Sequence, residues 1–218
     1  MQKTVDIQDL ERRLAPHSHS NVARRIVQDA FDGLKTGARL DILNGSLLRA
    51  PIYHEDVKRL LADEPEYFAV LQGDVISTEA AYVMGMQRTD NPSYVIATST
   101  CDAVIGRQAT VSLLEVVPVR YGSAPEAQIK TELSLLTRYK RNDYFYLPRI
   151  PGDDPDIYFN VVHLDYVAQC ANDALAHASR RASMTLLGWH VLGSLLRDVT
   201  VREAKDEAEM RLVAPLRA

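Results

Sequence analysis

A chain of 218 residues with 46% hydrophobic and 25% charged residues can bury one sizeable core, with or without a helical appendage, and that composition excludes global disorder. A formal net charge of −4 excludes a protein that coats nucleic acid over its whole surface, a mode that needs a broad basic field. Cys101 and Cys170 are too few for a disulfide framework or a cysteine-rich zinc site, and no apolar run suits a membrane span or a signal peptide, so a cytoplasmic protein with reduced thiols is expected.

Residues 5–14 place Val5, Leu10 and Leu14 at roughly helical spacing, and the His-Ser-His-Ser-Asn cluster at 17–21 ends the pattern. Ser20 or Asn21 can cap the next helix, whose stripe of Val22, Ile26, Val27, Ala30, Phe31 and Leu34 continues until Gly37 and should dock on the core. Asn44-Gly45 sits between two apolar runs and predicts a hairpin over 40–49, because both residues tolerate positive φ. Residues 54–62 return to helix with Val57, Leu60 and Leu61 inward, stopped by Asp63, Glu64 and Pro65.

The centre of the chain, 70–119, holds three β-branched runs that read as strands. The first surrounds Gly73-Asp74 with Val70, Leu71, Val75 and Ile76, so Gly73 marks a bulge or bend. The second, 94–98, is nearly all apolar and so should be covered on both faces, while Pro118 should end the third, 110–119, or push it to an edge. Beyond them, 126–139 reads as helix, 143–150 as a strand ending near Pro148, and 157–164 as a strand able to pair with it across the turn at 152–156. Residues 184–197 form a helix with Leu186, Leu187, Val191, Leu195 and Leu196 inward, and the charged tail 201–217 is either a frayed end or a partner-binding segment.

Arg120, Lys130, Arg138, Lys140, Arg141 and Arg149 alternate with Tyr121, Tyr139, Tyr144, Phe145 and Tyr146. That mixture serves phosphate contact and base stacking in single-strand nucleic acid sites, and it equally describes a solvated face beside a tyrosine-rich strand. Thr98, Ser99, Thr100, Cys101 and Asp102 cluster hydroxyls, a thiol and a carboxylate at a strand end, where His163 or His190 would have to supply a base; the plainer reading is a buried cysteine with Asp102 opening a turn. His17 and His19 lack a carboxylate or cysteine partner for a metal, and Asp153, Asp154 and Asp156 lack the glycine and distal glutamate of a calcium loop. No phosphate-binding glycine loop, serine nucleophile elbow or HExxH is present, so no cofactor is indicated.

The order Gly73-Asp74-Val75, an apolar strand with a polar end, a strand ending in Pro118-Val119, then Val161-Val162-His163-Leu164 and a late helix resembles the MazF/PemK toxin family over roughly 68–200. The resemblance implies a strongly bent antiparallel, SH3-like β-barrel within an α+β protein: a helical N-terminal extension over 1–65, then a barrel with C-terminal helix and tail over 66–218. Two positions depart from the family pattern: Asn91-Pro92 stands where an arginine-proline pair is usual, and Arg120-Tyr121 where a threonine or serine is usual. The resemblance therefore implies a toxin, stress-response or phage-defence component whose ribonuclease activity is altered or lost, acting through a protein partner of the antitoxin or regulator kind or through nucleic acid; the basic, tyrosine-rich stretch supplies Arg138, Lys140, Arg141, Tyr144 and Arg149 as the expected nucleic-acid contacts.

The alternative is an endoribonuclease acting on single-stranded RNA, with Arg88 or Arg120 stabilising the developing phosphorane charge and Thr98 or Asp102 assisting proton transfer. Family members pair as dimers, and the helix at 184–197 carries Met184 and Trp189 beside its leucines, enough apolar surface for a homodimer. The competing account covers that surface in cis with the helix at 22–34.

Overall fold

The computed structural model describes residues 4–17, 21–58, 68–90 and 92–200. The continuation of the fourth helix through 62 with its stop at 63–65, the Ser20 cap, His19, Asn91 and the tail at 201–217 lie outside these described residues. Among the described residues the chain is α+β, with six α-helices and a nine-stranded sheet whose named pairs are all antiparallel.

Helix α1 (Ile7–Leu14) begins where Asp6 accepts hydrogen bonds from the amides of Gln8 and Asp9, and it buries Leu10 and Leu14. Helix α2 (Asn21–Phe31) places Ala23, Val27 and Phe31 on one buried face, four residues apart. Both helices pack against α6 (Leu186–Thr200), which buries Leu187, Val191, Leu192 and Leu195, whereas Leu186, expected inward, is exposed.

Helix α3 (Thr36–Ser46) replaces the hairpin predicted at 40–49. Leu40, Leu43 and Leu47 recur at i, i+3 and i+7, with Leu43 and Leu47 fully buried, and this tertiary burial outweighs the local turn preference of Asn44-Gly45. Strand β1 (Leu48–Arg49) follows directly, and then the short helix α4 (His54–Val57).

The sheet continues with β2 (Val75–Ser77), β3 (Ala81–Val83), β4 (Met86–Gln87), β5 (Ser93–Ile96) and β6 (Thr110–Arg120). After helix α5 (Glu126–Leu136) come β7 (Tyr144–Leu147), β8 (Ile157–Ala171) and β9 (Ser179–Met184). The strand order is β1-β9-β2-β5-β6-β8-β3-β4, with β7 added alongside β8. Among the described residues β1 and β4 each keep one unpaired edge, so the sheet does not close.

Alternation divides the interior in two. Val75, Val95 and Leu114 face the larger core beneath the helices, while Ile76, Tyr94, Ile96 and Leu113 face a smaller core on the other side. Strand β5 is thus covered on both faces, as its unbroken apolar run predicts. Strand β6 runs through Pro118, but beyond Val116 it pairs only with β8, the edge position a residue without N–H requires.

The β7–β8 hairpin forms as predicted, pairing Tyr144 with His163 through Leu147 with Asn160. The Val70-Leu71 end of the first predicted strand is instead a turn. Gly73 adopts φ +86° and donates its N–H to the Ile96 carbonyl, and Asp74 N–H returns to the Leu71 carbonyl. Met184 belongs to β9 rather than to the last helix. Among the described residues no helix is long and apolar enough to cross a membrane.

Candidate functional site

The four residues named for catalysis do not converge. Thr98 Oγ1 accepts a hydrogen bond from the Ser112 amide near the start of β6. Arg88 Nη2 lies 3.0 Å from Glu115 Oε1 in mid-strand and 3.0 Å from Asp90 Oδ2. Arg120 ends the strand, where Nη1 pairs with Asp156 and stands 3.6 Å from Asp154. At about 3.3 Å per strand residue, Ser112 and Arg120 are separated by roughly 26 Å measured along β6.

Each of these side chains is also tied up locally. Ser99 Oγ donates to Asp102 Oδ2 over 2.7 Å and accepts from the Asp102 amide, with Cys101 Sγ 3.1 Å away. Those contacts build a turn. The hydrogen bonds that Arg88 donates to Asp90 and Glu115 hold its guanidinium above its ordinary pKa. Facing that pair, the buried Tyr94 hydroxyl has no hydrogen-bond partner among the described residues, and burial pushes its pKa up to about 12. His163 meets Tyr144 edge-on at 4.7 Å, and His190 is buried beside Trp189.

Four of the five residues named for nucleic-acid contact do converge, on the turn between α5 and β7. Tyr139 occupies the left-handed region at φ +52°, an unfavourable conformation for a side chain of its size. The surroundings hold it there: its ring is buried and stacked on Phe145, and its carbonyl accepts hydrogen bonds from Arg24 and Gln28 of α2. With Tyr139 pointing in, Arg138 and Lys140 point out on either side of it. Arg141 folds back, donating to both oxygens of Asp143 and to Glu132, with its guanidinium 4.6 Å from the centre of the Tyr144 ring. Arg149 lies past the far end of β7 and donates to the carbonyls of Asp153 and Asp154.

This turn separates two concavities. On one side, a cleft of about 370 Å³ runs between α5 and the sheet, walled by Val117, Val119, Ile129, Phe159 and Val161, with Glu132, Arg141, Tyr144 and His163 as its polar part. On the other side, a hollow of about 550 Å³ opens between the α2–α3 connection and the α5–β7 turn. Gln28, Lys35, Arg39, Arg138 and Lys140 line it, with Asp29 and Asp32.

Arg39 is the residue that sequence reasoning misses here. It sits in the first turn of α3, is 1% exposed, and donates to Thr137 Oγ1, the Leu34 carbonyl and Thr36 Oγ1, all of them neutral acceptors. Its pKa is lowered by burial and then by the charge of Arg138. Lys35, Arg138 and Lys140 make no ion pair among the described residues, whereas Arg88, Arg120 and Arg141 are each paired with carboxylates. The signal for Arg39 is present in the spacing: read as a helix, 36–46 puts Arg39 four residues before Leu43 on the buried face.

Among the described residues no group of three or more His, Cys, Asp or Glu side chains is arranged to hold a metal ion. No known family model matches the chain, and no curated protein matches it either.

Proposed function

We propose that this protein is a binding module for single-stranded RNA, a MazF-like fold that holds its partner without cutting it. The reading rests above all on one contrast. The cations offered for catalysis are neutralised and spread along β6, while Arg138 and Lys140 stand unpaired on the outer side of a braced turn, beside Lys35 and the buried Arg39. Unpaired cations in a concavity attract phosphate, and a tyrosine-bearing apolar cleft on the other side of the same turn suits an unstacked base. The long β6–β8 pair, with register shifts at Leu114/Val116 and Val119/Arg120, is where a MazF-like sheet would bend toward a barrel.

Fluorescence anisotropy with a labelled single-stranded RNA, run beside a gel of the same RNA, tests the reading. The expected result is salt-sensitive binding, intact RNA, and weaker binding after Arg138→Ala with Lys140→Ala. Cleaved RNA, or no binding at low salt, overturns it. A stoichiometric protein partner recovered without RNA affinity would move the assignment to a protein-binding module.

A further inference from the structure

We propose that the hollow between the α2–α3 connection and the α5–β7 turn is a site for a phosphate monoester, either the terminal phosphate of a strand or a free phosphate group. This deepens the RNA-binding reading and shares Arg138 and Lys140 with it, but it turns on Lys35 and Arg39. The interior cation carries the argument. Arg39 is 1% exposed and satisfied only by neutral oxygens, so its charge is buried without a counter-ion among the described residues. A buried cation is costly until an anion approaches it, and this hollow is the space that opens onto Arg39.

Two further observations select the kind of anion. Helix α3, eleven residues long, starts beside this hollow with Lys35, part of the lining, in the N-cap position and no side-chain cap, so the positive end of the helix dipole lies close to it. Lys35, Arg39, Arg138 and Lys140 face Asp29 and Asp32 in the lining, an excess of positive charge that a monoester of about −1.5 to −2 at pH 7 neutralises and a singly charged diester does not.

The test uses the full chain and three probes: inorganic phosphate by calorimetry, and one RNA hexamer carrying either a 5′-phosphate or a 5′-hydroxyl by anisotropy. Phosphate is expected to bind while chloride at equal ionic strength does not, and Lys35→Ala or Lys140→Ala, both at exposed positions, should each weaken it on the order of tenfold. Preference for the 5′-phosphorylated hexamer, lost in Lys35→Ala, assigns the site to a strand terminus. Phosphate binding with equal affinity for the two hexamers assigns it to a free phosphate. Phosphate binding without any RNA affinity keeps this inference and removes the RNA reading. No heat with phosphate, or heat unchanged in both lysine variants, overturns the inference even if RNA binds.

Discussion

Ser183 donates its hydroxyl proton to Asp74 Oδ1 over 2.5 Å, joining β9 to the turn that opens β2. The other oxygen, Oδ2, accepts from the Leu71 amide and lies 3.3 Å from Arg180 Nε. Ser183 Oγ accepts in turn from the Ile52 amide, Arg180 donates to the Ile52 carbonyl, and its guanidinium lies 4.7 Å from the centre of the Tyr53 ring. Asp74, fully buried, is therefore the hub that fastens the segment after β1 to the sheet.

Removing that carboxylate strands Arg180 and Ser183. Asp74→Ala is expected to cost about 3–5 kcal/mol in chemical denaturation. The pH dependence has a definite sign. Burial raises the Asp74 pKa against the opposing Leu71, Ser183 and Arg180 contacts, so the folded state holds the proton more tightly than the unfolded chain does. Its stabilising contribution is present below the ordinary aspartate value of roughly 3.9 and is lost as pH rises through the folded value. Asp74→Asn should lack this contribution, so the stability of the native protein relative to Asp74→Asn is expected to fall as pH rises above about 4. A constant difference across that range would count against the assignment.

The RNA-binding reading predicts a salt signature. Each phosphate contact to a single strand contributes about 0.7 to the slope of log affinity against log salt. Arg138→Ala and Lys140→Ala should each lower the slope by roughly that amount, while Arg120→Ala, whose cation is already paired with Asp156, should leave it nearly unchanged. Equal effects at all three positions would show that the turn is not the binding locus.

Much of the sheet is legible because burial on both faces writes itself into sequence: Tyr94, Val95 and Ile96 have no polar residue among them. Strands β3, β4 and β9 are not legible. The first two have three and two residues, too few for a period, and β9 reads Ser-Arg-Arg-Ala-Ser-Met because its arginines serve Asp74 and Asp153. Candidate site residues adjacent in sequence, Arg138 to Tyr144, stay together in space. Those scattered from Arg88 to Arg120 depend on a closed barrel to gather them, and an extended β6 holds them apart. Arg39 is hidden by the hairpin expectation, since a helix is needed to turn it inward.

The two thiols should differ sharply. Cys101 is exposed, whereas Cys170 is buried and its pKa is raised by burial and then by the charge of Asp173, which lowers its thiolate fraction. Titration with a chromogenic disulfide is expected to modify one thiol per chain quickly and the second only on denaturation. Cys101→Ser should abolish the fast phase. Two fast thiols in the native protein would contradict the placement of Cys170 in the smaller core.

Two glycines give opposite predictions and test the most consequential departure from the sequence reading. Gly188 lies in the first turn of α6, where its N–H is 3.2 Å from Thr185 Oγ1 and where a Cβ would stand 2.7 Å from the Leu47 carbonyl oxygen. That oxygen already accepts from the Thr185 amide, so the end of α3 and the start of α6 meet backbone to backbone and have little room to part. Gly188→Ala is expected to destabilise by about 1–3 kcal/mol, read as a lowered denaturation midpoint. Gly45 lies within α3 without a positive φ, and an alanine methyl there would meet nothing within 4 Å. Gly45→Ala should therefore stabilise by about 0.4–1 kcal/mol, because it removes unfolded-state freedom at a helical position. A type I′ hairpin at Asn44-Gly45 would reverse that sign, since it needs the positive φ that alanine resists. A destabilised Gly45→Ala variant would restore the hairpin and, with it, take Arg39 out of the phosphate hollow.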